Sequence, residues 1–346
     1  MQQDYDATAT SRPVIAATSL TKTYMFHKQG SGLLSALRGV FKRTMETRLA
    51  VDAIGLEVHP GEIVGLLGPN GAGKTTTLKM LSGLLYPTSG DLQVLGFTPS
   101  QRDVEYLRQI ALVMGQKSFL WWDVPAMDSF LLQKDMYGLT DAEFRTSVDE
   151  LAAMLDVGNL LDVQVRKTSL GERMKLELMA ALLHRPEIVF LDEPTIGLDV
   201  VAKARVRSFL QEINRTRGTT ILITSHDMDD IEALCNRVVI INHGQIEYDG
   251  VLAELVHEVQ PGKRIRVTWA DPLTDFTRLD MLGIGEHARL TEDDGRTWNL
   301  EVSRDRLSDV LEALPRLGTL IDLGVADADV DEIIRELFTR EREVVS

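Results

Sequence analysis

Cysteine and long apolar runs are what this sequence of 346 residues most clearly lacks. Its one cysteine, Cys235, excludes a disulfide within the chain and is typical of a reducing compartment. No apolar run approaches the ~20 residues that span a bilayer. Residues 1–6 are acidic and lack the apolar segment of a signal peptide. We therefore expect a cytoplasmic protein that reaches a membrane only through a partner.

An excess of positive charge is lacking as well. Lys and Arg number 37 against 52 Asp and Glu, which gives a net charge of −15. This balance disfavours a general nucleic-acid-binding protein. The hydrophobic fraction of 44% and the charged fraction of 26% are those of an ordinary globular protein. A chain of this length should form about two domains.

The most informative stretch is a glycine-rich loop, residues 68–75. An apolar run predicted as a strand precedes it and a predicted helix follows, which is the context that a phosphate-binding loop requires. Its backbone N–H groups would converge on phosphate oxygens, Lys74 would supply a cation and the Thr75 hydroxyl could ligate Mg²⁺. We therefore predict a nucleoside triphosphate site formed by Gly68, Pro69, Asn70, Gly71, Ala72, Gly73, Lys74, Thr75 and Thr76.

Apolar runs alternate with segments of helical spacing, which predicts an α/β fold with a mostly parallel sheet. Polar residues that directly follow such runs would lie at the sheet edge where ligands bind. These residues are Asp192 with Glu193, His226 and Gln116. Taken singly, the two acids could be a solvated pair at a strand end, and His226 could be a buried structural histidine.

We predict three regions along the chain: a disordered tail over 1–13, a nucleotide-binding domain over 14–255 and an accessory domain over 256–346. A largely helical subdomain is expected over 117–168. The accessory domain alternates short strands and helices in an α+β pattern that resembles a ferredoxin-like module. It carries no phosphate loop and no metal-ligand spacing.

Residues 26–49 combine apolar positions at helical spacing with several basic residues. This pattern predicts a basic amphipathic helix that docks on a membrane surface or partner, or else packs on its own domain. Tyr24, upstream of the loop, could stack on an adenine ring or be an ordinary half-buried strand residue. Of the adjacent Trp121 and Trp122, one could line an exposed docking patch, although core packing is the common role of tryptophan.

Taken together, the motifs resemble the nucleotide-binding domain of ATP-binding-cassette (ABC) proteins. The resemblance covers residues 14–255 and depends on the phosphate loop, Gln116, residues 169–173, Asp192–Glu193, Leu198–Asp199 and His226 in this order. It implies a P-loop NTPase fold with ATP and Mg²⁺ as ligands. It also implies that Asp192 holds the Mg²⁺ shell, Glu193 polarises the attacking water, Gln116 reaches metal and water, and His226 contacts the γ-phosphate.

Residues 168–172 align with the family signature L-S-G-G-Q but differ from it at Thr168, Leu170 and Glu172. Ser169 and the Gly171 N–H would still face a γ-phosphate from a helix N-terminus. The resemblance implies that this phosphate is bound by a second subunit, so that two copies enclose two ATP molecules head to tail. Asp199 belongs to the same set of nucleotide-contacting residues.

Within the family, the motifs resemble the ATPase subunits of bacterial ABC-2-type exporters. This implies ATP hydrolysis at the cytoplasmic face of the membrane, coupled to transport by separate permease subunits. Two alternatives stay open: a non-transport ABC ATPase acting on ribosomes or DNA, and a regulatory ATP-binding module without turnover. The transported substrate is not encoded in this chain.

Overall fold

The computed structural model describes residues 12–27, 45–115, 118–259, 262–273, 288–293 and 295–327. The chain divides into two units between Gly250 and Val251, and each unit has its own hydrophobic core. Most of the predicted disordered tail, residues 1–11, lies outside the described residues.

Strands and helices alternate along most of the first unit. Its strands are β1 (Ile15–His27), β2 (Met45–Val58), β3 (Ile63–Leu67), β4 (Ser89–Val94), β5 (Ile110–Met114), β6 (Ile188–Asp192), β7 (Thr220–Thr224), β8 (Arg237–Asn242) and β9 (Gln245–Val251). Its helices are α1 (Lys74–Leu81), α2 (Val104–Gln109), α3 (Ala126–Tyr137), α4 (Asp141–Leu155), α5 (Leu170–Leu182), α6 (Val200–Arg217) and α7 (Met228–Leu234).

A six-stranded sheet with the order β5-β6-β7-β3-β8-β9 forms the centre of this unit. The first five of these strands pair in parallel, which confirms the predicted sheet. β7 is buried along its whole length, as expected for a strand covered on both faces. Because β6, β7 and β3 are neighbours and run in the same direction, the residues that follow them meet at one edge.

The strands β2, β1 and β4 form a second sheet, which is antiparallel and has the order β2-β1-β4. It corrects the two ends of the predicted helix over 26–49. Residues 28–44 lie outside the described residues, but both ends of the range are strand, since Phe26 pairs with Glu46 and His27 with Met45. The helical spacing of the sequence gave no sign of this pairing, because the two strands are brought together across the intervening residues.

The stretch between β5 and β6 carries α3 and α4, in the range where a helical subdomain is predicted. The start of α4 is fixed by a capping box between Thr140 and Glu143, in which each side chain accepts the other residue's backbone N–H. α5 follows and contacts α3 and α4. This helix also begins at the predicted signature motif.

The second unit contains α8 (Leu252–Val259), β10 (Gly262–Trp269), β11 (Ala288–Asp293), β12 (Thr297–Ser303), α9 (Leu307–Ala313) and β13 (Leu320–Asp327). Its strands form an antiparallel sheet in the order β11-β12-β10-β13. Trp269 and Trp298 meet edge to face in its core with ring centroids 5.2 Å apart. Residues 274–287 and 328–346, where helices of the predicted α+β pattern would lie, are outside the described residues.

Candidate nucleotide site

The glycine-rich loop joins β3 to α1 in a conformation that only glycine adopts easily. Gly68, Gly71 and Gly73 have φ values of 145°, 83° and 119°. A side chain on Gly68 would collide with the carbonyl oxygen of Ile241, and a Cβ on Gly73 would lie 2.6 Å from that of Ala50. The loop is therefore held closely against the backbones of β8 and β2, with the N-terminus of α1 directed at it.

Lys74 lies inside the curve of this loop. Its ammonium donates to the carbonyl oxygens of Gly68, at 2.6 Å, and Pro69, at 3.2 Å, and the residue is only 7% exposed. Burial lowers the pKa of Lys74, and the nearby carboxylates of Glu193 and Asp192 oppose that shift. The cation thus sits within the loop that would surround a terminal phosphate.

Asp192 connects strands β6 and β7 with the first turn of helix α1. Its carboxylate accepts hydrogen bonds from the Thr75 hydroxyl, at 2.9 and 3.0 Å, and from the Thr224 hydroxyl at 2.9 Å. Carboxylate and hydroxyl oxygens are the hard donors that Mg²⁺ prefers, and Mg²⁺ in nucleotide sites uses few protein ligands together with substrate phosphates. The described residues contain no group of three or more His, Cys, Asp or Glu placed to hold a metal ion.

Glu193 has a left-handed backbone with φ 56°, a strained conformation that is frequent at active sites. Its N–H donates to the backbone oxygen and the hydroxyl of Thr224, at 3.2 and 3.1 Å. The Glu193 carboxylate accepts the His226 N–H at 3.2 Å and lies 3.2 Å from His226 Nε2. Burial raises the pKa of Glu193, and His226 counteracts the shift. A carboxylate held in this way is suited to act as a general base.

The signature residues lie at the start of α5. Ser169 caps this helix, and its hydroxyl accepts the Glu172 N–H at 3.3 Å while the Glu172 carboxylate accepts the Ser169 N–H at 2.8 Å. The helix therefore begins at Leu170, within the signature motif. Glu172 occupies the last position of the capping box, which glutamine fills equally well. The departure from the family consensus at Glu172 thus preserves the local structure.

A separate cavity of about 490 Å³ brings the signature together with Asp199. Ser169, Gly171 and Asp199 line it, and its lining includes no residue of the phosphate loop. Asp199 caps α6, since its carboxylate accepts the Ala202 N–H at 2.8 Å. Within one chain, the predicted site residues are therefore divided between two surfaces.

Three residues remain to be considered: the predicted Tyr24 and Gln116, and Thr224, which was not predicted. Tyr24 lies on β1, partly exposed, with the Lys22 ammonium 5.4 Å from its ring centroid. Gln116 lies outside the described residues. Thr224 was not predicted as a site residue. It ends an apolar run just as Asp192 does, and this position at the end of a strand could have identified it.

Comparison with known proteins identifies the family. A family model described as "ABC transporter" matches residues 51–196. The ABC transporter ATP-binding protein NatA of Bacillus subtilis is 35% identical over 206 residues, which are 60% of this chain and 83% of NatA. The chain belongs to the ABC transporter family. It is an ATP-binding subunit that hydrolyses ATP, and both predictions are confirmed.

Further relatives agree with this assignment. The Nod factor export ATP-binding protein I of Burkholderia thailandensis is 35% identical over 67% of this chain and 75% of its own length. The bacitracin transport ATP-binding protein BcrA of Bacillus licheniformis is 35% identical over 57% of this chain and 63% of its own. A dimeric bacterial ABC transporter cassette superposes with a TM-score of 0.57 at 24% identity, covering 69% of this chain and 98% of that one. The ABC nucleotide-binding fold is thereby confirmed for the first unit.

The capping box predicts how this ABC subunit tolerates change in its signature. We expect Glu172→Gln to keep the ATP turnover number within about threefold, because glutamine closes the same box. Glu172→Ala should lower the free energy of unfolding by about 1 kcal/mol. Turnover assays and urea unfolding curves of both variants test this. Equal losses in the two variants would contradict it.

Proposed function

We propose that this chain is the ATPase subunit of an ABC-2-type exporter, in which two copies enclose two ATP molecules head to tail. The observation that carries the proposal is the division of the site. The phosphate loop, Asp192, Glu193 and His226 share one edge, whereas Ser169 and Asp199 line a separate cavity. Each surface alone contacts only part of a nucleotide, so the second copy supplies what the first one lacks.

In this arrangement the residues of one copy bind the triphosphate and activate water. The loop and Lys74 hold the phosphates, and Thr75 with Asp192 would hold Mg²⁺, which, when bound, neutralises charge on the β- and γ-phosphates. Glu193 accepts a proton from the attacking water, and His226 fixes the orientation of that carboxylate through contacts at 3.2 Å. Ser169 of the second copy donates to the same γ-phosphate.

The direction of transport is proposed from the relatives. One relative is named for the export of Nod factor and another for the transport of bacitracin. The described residues contain no helix long and apolar enough to cross a membrane. On the basis of the family, we propose that separate permease subunits form the translocation pathway and that this chain docks on them at the cytoplasmic face of the membrane.

An exposed apolar surface next to α5 is suited to that docking. Its side chains are exposed and belong to the part of the sequence between β5 and α4. They are Phe119, Trp121, Trp122, Leu131, Leu132 and Met136. A cavity of about 540 Å³ opens beside them and is lined in part by Phe119, Met136 and His184. Patches of this kind mark protein interaction sites. We therefore propose that an apolar helix end of a permease docks here.

The same surface is hydrogen-bonded to α5, the helix that begins at the signature motif. Glu177 of α5 accepts hydrogen bonds from the Ser118 hydroxyl and, at 2.8 Å, from the Phe119 N–H. The Arg173 guanidinium lies 5.3 Å from the Trp122 ring centroid. A permease that displaces Phe119 or Trp122 would thus act directly on α5, which carries Ser169 at its start.

The docking proposal predicts the effect of a charge on this surface. Phe119→Asp should lower permease-stimulated ATPase activity and co-purification with the permease about tenfold, because an apolar contact is replaced by a charge. The basal activity should stay unchanged. Co-expression with the neighbouring membrane-protein genes and pull-down measures both quantities. The matched control is Tyr86→Asp, at a tyrosine that is 60% exposed outside this surface. Stimulation unaffected by Phe119→Asp would contradict the docking site.

For the second unit we propose a ferredoxin-like fold. Its strand order β11-β12-β10-β13, with every neighbouring pair antiparallel, is the order that a βαββαβ module gives its four strands. α9 occupies the position of the second helix, between β12 and β13. The proposal adds no catalytic residue to the protein.

A further inference from the structure

An arginine on β2 lies against the phosphate loop. β2 runs beside this loop, where the Ala50 carbonyl oxygen lies 2.6 Å from the position of a Cβ on Gly73. Two residues earlier, Arg48 Nη2 lies 3.0 Å from the position of a Cβ on Gly71. The absence of a side chain at Gly71 is what admits the guanidinium here. A cation other than Lys74 therefore lies beside the loop.

Within the described part of the chain, no group binds this guanidinium. Among the described residues, Arg48 has no hydrogen-bond or ion-pair partner, and it is exposed. Lys22, the other cation near Tyr24, is engaged, because its ammonium donates to the Tyr86 carbonyl oxygen at 2.8 Å. A guanidinium has five N–H donors in a planar fork that matches phosphate oxygens. Arg48 thus retains this capacity for a ligand.

The strand register places Arg48 between the two ends of a nucleotide. Arg48 pairs directly with Tyr24 across β1 and β2, and residues opposite each other in an antiparallel pair point to the same face. Tyr24 is the residue proposed to stack on the base, and Gly71 belongs to the loop proposed to bind the phosphates. Arg48 is thus paired with Tyr24 through the backbone, and its guanidinium lies beside Gly71.

We propose that Arg48 is a further nucleotide-binding residue, whose guanidinium binds phosphate oxygens of ATP on the side of the loop nearest the base. The assignment rests on the proposed role of the loop. It adds a second positive group to the single lysine of the motif. Arg48 lies at Gly71 and not at the strand ends that carry Glu193 and His226, where the γ-phosphate would be hydrolysed. We therefore expect it to contact both ATP and ADP.

The test measures dissociation constants of the full chain for ADP, AMP-PNP and adenosine. Arg48→Ala should raise the dissociation constants for ADP and AMP-PNP about tenfold, as expected for the loss of one charge-assisted hydrogen bond. The dissociation constant for adenosine should change by no more than about twofold. The loss should shrink in about 0.5 M salt, because an exposed cation is screened. The matched control is Arg145→Ala, which removes an equal charge from an exposed position on α4.

Three results would overturn the assignment. Unchanged ADP and AMP-PNP binding in Arg48→Ala is the first, and an equal loss in Arg145→Ala, which would point to net charge, is the second. An equal loss of adenosine binding is the third. If Arg48→Ala does not fold, Arg48→Gln carries the same expectations. Failure of the wild-type protein to bind ADP or AMP-PNP would instead refute the proposed role of the loop.

Discussion

Glu193→Gln is expected to lower the ATP turnover number about 10²-fold or more, while the dissociation constant for Mg-ATP stays within about threefold. The substitution keeps the size and polarity of the side chain but removes its ability to accept a proton from water. Glu193 is the carboxylate held by His226 at 3.2 Å in a strained backbone position. Single-turnover kinetics and equilibrium binding measure the two quantities separately.

The same variant tests the two-copy arrangement. With hydrolysis blocked, Mg-ATP should keep the subunits together, so light scattering after size exclusion should detect a dimer with Mg-ATP and a monomer without it. The matched control is Glu187→Gln, an exposed glutamate that directly precedes the same strand β6. Normal turnover in Glu193→Gln would refute the assignment of the base, and a persistent monomer would refute the head-to-tail arrangement.

Lys74→Ala should weaken the binding of Mg-ATP about 10²-fold, because truncation of a buried, hydrogen-bonded cation leaves the bound phosphate without its main charged partner. Lys74 is suited to this effect, since it is 7% exposed and donates to two carbonyl oxygens of the loop itself. Turnover falls as a consequence of lost binding. Titration with a fluorescent ATP analogue measures the dissociation constant directly.

Lys79→Ala is the control, because Lys79 lies on the same helix α1 but outside the loop. The two principal predictions are complementary. Glu193→Gln should lose ATP hydrolysis but still bind Mg-ATP, whereas Lys74→Ala should bind Mg-ATP weakly. Binding of Mg-ATP by Lys74→Ala with wild-type affinity would mean that other groups, such as Arg48, carry the charge of the site.

The parts of the candidate site that could be predicted from the sequence depend on residues that are neighbours in the chain. The phosphate loop needs only glycines at fixed spacing between a strand and a helix, and its Lys74 then points into it. The placement of Asp192 and Glu193 followed from a short buried run that ends in two acids. The ATPase activity and family were predicted from such local motifs taken in order.

The errors arose where distant residues decide the conformation. The ends of the predicted helix over 26–49 are strand because Phe26 and Glu46 pair across the intervening residues. Thr224 was missed because its bond to Asp192 joins two strands separated in sequence by α6.

By itself the sequence determined that this protein has a phosphate loop, a parallel α/β sheet and an acid pair at a strand end, because each is written in consecutive residues. Tertiary structure decided which side chains share a surface. The order β6-β7-β3 brings Thr75, Asp192 and Thr224 into contact, and the pairing of β1 with β2 sets Arg48 beside Gly71. Hydrogen bonds between strands distant along the chain fix these contacts, and such pairings have no signature in any single stretch of sequence.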